Sequence, residues 1–148
     1  MANYRDIAIS DAPFKAGVDL TGKQYYFVSP GSIAGEVIVS VGPSGNPWPL
    51  GILQNAPSSG QEAQVRVLGF SKLVCEANTC SLAWGRWIQV ASDGQGEPLA
   101  TEATAIAATS AVMARYMDSG TLSSGCQISQ VFIHSFPMLN SCGIFTAS

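Results

Sequence analysis

The chain has little charge, because Asp, Glu, Lys and Arg make up only 11% of its 148 residues, against about 25% in ordinary soluble proteins. The seven basic residues are scattered singly and the net charge is −3. This argues against nucleic acid as a partner, since phosphates require concentrated positive charge. No apolar run approaches the roughly 20 residues that span a bilayer, so we expect no membrane partner. Such a surface indicates either a compact β domain with a polar Ser/Thr/Gln coat or a protein covered by partner proteins.

Groupings typical of catalysis are also scarce. His134 is the only histidine, and no Gly-x-Ser-x-Gly elbow accompanies it. Residues 17–23 nearly match a phosphate-binding P-loop, but Gln24 stands where that motif requires a hydroxyl for Mg²⁺. The carboxylates show no spacing that indicates an acid–base pair. We therefore expect no enzyme, no catalytic residue and no cofactor, and a hydrolase that uses His134 remains an alternative.

The four cysteines lack the spacing of a metal site. The N-terminus lacks the charged-then-apolar order of a signal peptide, so we expect a protein made and kept in the cytosol, where thiols stay reduced and are often buried. Cys75 and Cys80 flank a candidate hairpin tip, where a cross-strand disulfide is an alternative. Cys126 and Cys142 lie 16 positions apart in unlike contexts, so no zinc site is predicted.

Short β-type runs separated by Gly/Pro turns dominate the chain. This pattern predicts an all-β fold, a small β-sandwich or β-barrel-like domain with an extended N-terminal arm and at most one short helix. The only candidate for that helix is a loop or single helical turn at 101–111. The predicted strands are 23–28, 36–41, 50–54, 62–68, 86–91, 111–117 and 127–134, with a hairpin formed by 70–76 and 79–82.

The domain organisation follows from length and periodicity. A chain of 148 residues favours one domain, so we predict an N-terminal arm at 1–16 and a single β domain at 17–148 with an apolar C-terminal tail. Pro13 is expected to interrupt regular structure in the arm. A repeated spacing supports the all-β fold, since Leu82-x2-Gly85-x2-Ile88 recurs as Leu122-x2-Gly125-x2-Ile128. In each copy an aliphatic residue is followed by a turn glycine and then by a predicted strand.

Five motifs lie between residues 17 and 134. They are Gly17 to Tyr25, Pro49 to Pro57 with Gly60, Val65-x3-Gly69-x-Ser71-Lys72, Gly85-x2-Ile88-x4-Asp93-Gly94 and Gly125-x2-Ile128-x2-Val131. Together they resemble the small capsid decoration proteins of tailed bacteriophages, also called cement or head-stabilising proteins, and Leu50 to Gly69 is the most specific part. The resemblance implies a non-enzymatic virion protein, made in the host cytoplasm and placed on the outer surface of the capsid. It would bind major capsid protein, stabilise contacts between its subunits and often form a homotrimer.

We choose candidate partner-binding residues only by whether their side chains are expected to be exposed. An arm that adds an edge strand to a capsid subunit would use its apolar side chains, and a tryptophan between two prolines lies in a rigid loop. The candidates are Tyr4, Ile7, Ile9 and Phe14 in the arm, Trp48 in the loop, and Arg86. Exposed aromatic side chains also suit sugars, so a carbohydrate-binding or adhesin-like surface module on the virion is the main alternative.

Overall fold

The computed structural model describes residues 10–41, 49–77, 80–99 and 112–138, with the backbone alone for 112–113 and 134–138. Within these ranges the chain forms nine strands and no helix, which confirms the all-β prediction. The strands are β1 (Ser10–Ala16), β2 (Phe27–Pro30), β3 (Glu36–Val39), β4 (Gly51–Leu53), β5 (Glu62–Ala77), β6 (Trp87–Val90), β7 (Gly96–Pro98), β8 (Val112–Tyr116) and β9 (Gly125–Met138). The candidate helical turn at 101–111 and the tail beyond Met138 lie outside the described residues.

Backbone pairing closes the strands into two rings that share β5. In the first ring the order is β1-β3-β2-β4-β5, and β5 pairs back with β1. In the second ring the order is β5-β7-β6-β8-β9, and β9 pairs back with β5. Ring closure satisfies backbone groups that an open sheet edge would leave unpaired. The architecture is therefore barrel-like, within the fold class that the sequence predicts.

Strand β5 serves both rings because it is 16 residues long and alternates buried and less buried residues on both sides of residues 66–68. Ala63 and Val65 face the interior of the first ring, and Leu73 and Cys75 face that of the second. Gly69 lies where β5 passes from the first ring to the second, and its φ of 103° is a backbone conformation that residues other than glycine rarely adopt. The predicted hairpin at 70–82 is wrong, because the second half of β5 pairs with β9 instead.

Two apolar clusters fill the structure, and together they account for most of the buried side chains. The first comprises Ala16, Leu20, Val28, Val37, Leu53, Ala63 and Val65. The second comprises Phe27, Ile52, Leu73, Cys75, Ala77, Leu82, Ile88, Val90, Ala114, Tyr116, Leu122, Val131 and Ile133. Successive residues of a strand point to opposite faces. The side chains of Phe27 in β2 and Ile52 in β4 therefore point out of the first ring and pack in the second cluster. The two rings therefore pack against each other through an apolar contact.

The N-terminal prediction needs a correction. Residues 10–16, assigned to the arm, form β1, which pairs antiparallel with β5 and, at Lys15 and Ala16, parallel with β3. Pro13 does not interrupt the strand, because only β5 pairs with β1 at that position and a proline is tolerated where one side of a strand is free. Residues 1–9 lie outside the described residues.

The start of β2 and the strand β7 also differ from the sequence prediction. The strand predicted at 23–28 begins only at Phe27, because Lys23 accepts a hydrogen bond from Tyr26 N at 3.1 Å in a turn and Tyr25 has φ of 67°. The turn predicted at Asp93-Gly94 is confirmed, and Gly94 has φ of 89°. It leads into β7, a strand that the sequence patterns did not predict.

Candidate partner-binding surface

An open groove of about 410 Å³ lies beside β6 and β8. We call it the Trp–Arg groove, and its lining residues are Ala83, Trp84, Gly85, Arg86, Trp87, Leu99 and Arg115. It combines two tryptophans with two arginines, residue types that dominate the energetics of protein interfaces.

A tight turn before β6 presents Trp84 to the solvent. Arg86 N donates to Ala83 O at 3.0 Å, and Gly85 has φ of 80°. The turn is fixed to β8, because Gly85 N donates to Tyr116 O at 2.7 Å and Tyr116 N donates to Arg86 O at 2.8 Å. Trp84 keeps 67% of its surface exposed, so its position depends on the backbone of the turn and not on packing of its ring.

The second tryptophan carries an arginine on its face. Trp87 in β6 and Arg115 in β8 are direct partners across the antiparallel pair. The guanidinium carbon of Arg115 lies 4.4 Å from the centre of the Trp87 ring, which is a cation–π arrangement. Trp87 is half-buried, whereas Arg115 is exposed. The stacked ring holds the guanidinium group in place at the surface.

Arg86 is anchored differently. One terminal nitrogen of its guanidinium group donates to Leu99 O at 3.1 Å, and Leu99 N donates to Trp87 O at 3.1 Å. Arg86 and Arg115 form no ion pair with a carboxylate in the part of the chain that the structure describes. Two other basic side chains are paired, since Arg66 lies 2.8 Å from Asp11 and Lys15 lies 3.0 Å from Glu36. Lys23 and Lys72 lie over tyrosine rings instead. The groove is thus a locally positive surface on a chain of net charge −3.

A second cleft, of about 300 Å³, lies where the two rings meet. Its lining includes Tyr25, Lys72 and Asp118 together with Gln54, Arg66, Phe70, Ser71, Ile128, Ser129 and Gln130. Several of its polar groups are already bonded within the chain. Gln54 Nε2 lies 2.9 Å from Ser71 Oγ, and Asp118 accepts a hydrogen bond from Gln130 N at 3.3 Å. This cleft therefore differs from the Trp–Arg groove in combining donors with acceptors, some of which are engaged within the chain.

The structure describes two of the sequence-predicted contact residues, Phe14 and Arg86, and they lie in different rings. Arg86 lines the Trp–Arg groove, but Phe14 lies in β1, half-buried against the first cluster. Tyr4, Ile7, Ile9 and Trp48 lie outside the described residues. Sequence reasoning missed Arg115 and Leu99, because only the strand register and the backbone bonds to β6 bring them beside Trp84 and Arg86.

The described ranges hold neither a candidate metal site nor a candidate membrane-spanning helix. No group of three or more His, Cys, Asp or Glu side chains there is placed to hold a metal ion. In the same ranges no helix is long and apolar enough to cross a membrane.

Comparison with known proteins yields a likeness of fold. No protein-family model matches the chain, and no curated protein matches it. A similar solved structure is that of the head fiber gp8.5 N base in bacteriophage phi29, with a TM-score of 0.54 and 13% sequence identity. The likeness covers 88% of this chain and 98% of that chain, so it is a likeness of fold over nearly the whole of both chains.

Proposed function

We propose that this protein is a structural component of a bacteriophage head, bound to the outer surface of the capsid, where it stabilises contacts between major capsid protein subunits. The observation that carries this proposal is the fold likeness to the base of a phage head fiber, which spans 98% of that domain. The motifs of residues 17–134 that resemble capsid decoration proteins suggested the finer placement on the outer surface of the capsid, which the experiment below tests.

The physical basis of stabilisation is linkage. A ligand that binds the assembled shell, but not its separated subunits, stabilises the shell by about 2.7 kcal/mol per site at a concentration of 100 Kd. A homotrimer multiplies the effect, because each assembly engages several subunits at once. In this role the protein acts as a ligand of the capsid, without catalysis and without a cofactor.

Co-sedimentation with capsids tests the proposal. Purified protein is mixed with expanded capsids of its own phage that lack it, and pelleted beside an unrelated β protein of similar mass. We expect saturable binding and a higher temperature of capsid disruption with the protein bound. Failure to pellet with the capsids would contradict the proposal.

The oligomeric state is tested separately by analytical ultracentrifugation. We expect a trimer at the concentrations that saturate the capsid. A monomer at those concentrations would remove the homotrimer from the proposal and leave capsid binding to stand alone.

A carbohydrate-binding module is the second candidate, and one observation favours it. Trp84 is 67% exposed and lies in the same groove as Trp87, and exposed indole rings provide flat apolar faces for ligands. Glycan-array binding that disappears in Trp84→Ala, combined with unchanged capsid stability, would favour this function. Absence of glycan binding would eliminate it.

A further inference from the structure

The side chains that line the Trp–Arg groove can donate hydrogen bonds but cannot accept them. The polar side chains among them are those of Trp84, Trp87, Arg86 and Arg115, and indole and guanidinium groups are donors only. A neutral sugar carries hydroxyls that both donate and accept, so it would find few acceptors here. A ligand that fits must supply acceptor oxygens and negative charge.

The guanidinium group of Arg115 is prepared for such a ligand. Its guanidinium carbon lies 4.4 Å from the centre of the Trp87 ring, and the residue is exposed to solvent. The N–H groups of a guanidinium lie in its plane, so the ring leaves them available. A guanidinium that is stacked in this way loses little further freedom when it binds a carboxylate with two parallel hydrogen bonds.

Arg86 adds a second cation beside the first. It uses one terminal nitrogen for Leu99 O, which holds the side chain along the groove and leaves its other N–H groups for a ligand. No carboxylate of the described ranges neutralises Arg86 or Arg115. Trp84, which lines the same groove, offers an exposed apolar face.

We infer that the Trp–Arg groove binds an acidic segment of the capsid protein, with an Asp or Glu carboxylate on Arg115 and Arg86 and an apolar neighbour on Trp84. This inference rests on the proposed function. Charge complementarity selects the partner, because two unpaired cations on a chain of net charge −3 attract a local carboxylate. A nucleic acid requires a longer basic track than two arginines.

Charge removal in the groove provides the main test. Arg115→Gln and the pair Arg86→Gln with Arg115→Gln are compared with the wild type in co-sedimentation with expanded capsids that lack the protein. Lys72→Gln, in the cleft between the rings, is the matched control because it also removes one positive charge. We expect the double variant to bind about tenfold more weakly or worse, Arg115→Gln to fall between it and the wild type, and Lys72→Gln to bind like the wild type.

Salt dependence and folding controls sharpen this test. Binding of the wild type should weaken as salt is raised, and the double variant should show a shallower dependence, because screened charge pairs have been removed. Arg115→Gln leaves the bond from Arg86 to Leu99 in place and removes only one exposed cation–π contact, so its melting temperature should fall by no more than a few degrees. Equal binding or an equal salt dependence in the double variant would overturn the inference.

Crosslinking identifies the occupant. A photoreactive benzoylphenylalanine at position 84 is irradiated in the complex with capsids, and the adduct is sequenced by mass spectrometry. An adduct on a capsid-protein peptide with Asp or Glu nearby is the expected result. An adduct on a second copy of this chain, on nucleic acid or on a glycan would overturn the inference, as would no adduct. Failure of the proposed function is a distinct result, since the wild type would then not bind capsids at all.

Discussion

The backbones of Leu82 and Leu122 exchange two hydrogen bonds, with N to O distances of 2.8 Å and 2.9 Å. Both side chains are buried in the second cluster. Each leucine precedes a glycine of positive φ, 80° at Gly85 and 74° at Gly125, which leads into β6 or β9. The repeated spacing in these segments therefore corresponds to two equivalent structural units that pair with each other.

Truncation of one of these leucines should destabilise the second ring. In Leu82→Ala we expect the free energy of unfolding to fall by about 2–5 kcal/mol, because a fully buried leucine leaves a cavity. Chemical denaturation measures the change. Trp84→Ala, two positions away and exposed, is the control and should change stability by about 0.5 kcal/mol or less. Equal effects of the two substitutions would contradict the burial of Leu82.

Gly51 is required by the close approach of two backbones. A Cβ at this position would meet the Arg66 carbonyl group, at 2.9 Å from its carbon and closer still to its oxygen. We expect Gly51→Ala to cost about 3 kcal/mol or more, because backbone can relieve a clash only by separating β4 from β5. Gly22→Ala is the matched control, since nothing lies within 4 Å of its Cβ. A Gly51→Ala protein as stable as Gly22→Ala would show that β4 and β5 do not approach this closely.

Much of the fold could be predicted from the sequence, because period-2 alternation and glycine turns are local signals. The strands around Val37, Ile52, Val65, Ile88 and Val131 all form near their predicted positions. Pairing is not local, and it was missed where it depends on distant segments. Nothing in the sequence between Phe70 and Leu82 reveals that the second half of β5 pairs with β9, or that Leu82 pairs with Leu122.

The candidate site was less predictable for the same reason. Arg86 and its flanking tryptophans stand together in the sequence, so their clustering is visible there. Arg115 joins them only through the register of β6 and β8. At Pro13 a local signal gave a wrong prediction. Proline interrupts most strands, but here it is accommodated in β1 because only one neighbouring strand pairs with it.

Cysteine reactivity should separate two free thiols. Cys126 is exposed, whereas Cys75 is buried, and burial raises the pKa of the Cys75 thiol to about 12. Since the thiolate is the reactive form, iodoacetamide at pH 8 should modify Cys126 in the folded protein and Cys75 only after unfolding. Mass spectrometry of digested samples measures both, and Cys126→Ser should lack the early adduct. Modification of Cys75 at the rate of Cys126 would contradict its burial.

Glu97 makes stability depend on pH. Burial raises the pKa of its carboxyl above the usual 4.5, and a hydrogen bond from Gln89 Nε2 at 2.8 Å opposes that rise. Because the folded state holds the proton more tightly than the unfolded state, this contribution is complete below pH 4.5 and is lost as pH rises through the folded-state pKa. Glu97→Gln should therefore gain stability relative to the wild type between pH 4 and pH 7, as measured by denaturation at both values. A stability difference that is the same at both pH values would refute this prediction.

The pairing of Asp11 with Arg66 determines how the N-terminal arm should be tested. Two bonds of 2.8 Å and 3.1 Å join the carboxylate of β1 to the guanidinium group of β5, and β1 closes the first ring. Deletion of 1–16 would therefore open that ring and lower stability, so a loss of capsid binding would not identify a contact. Deletion of 1–9 removes no described residue, and we expect it to preserve the melting temperature while weakening co-sedimentation with capsids through the loss of Tyr4, Ile7 and Ile9. Unaltered binding by this shorter deletion would show that the arm is not a contact, and a lowered melting temperature would show that it supports the fold instead.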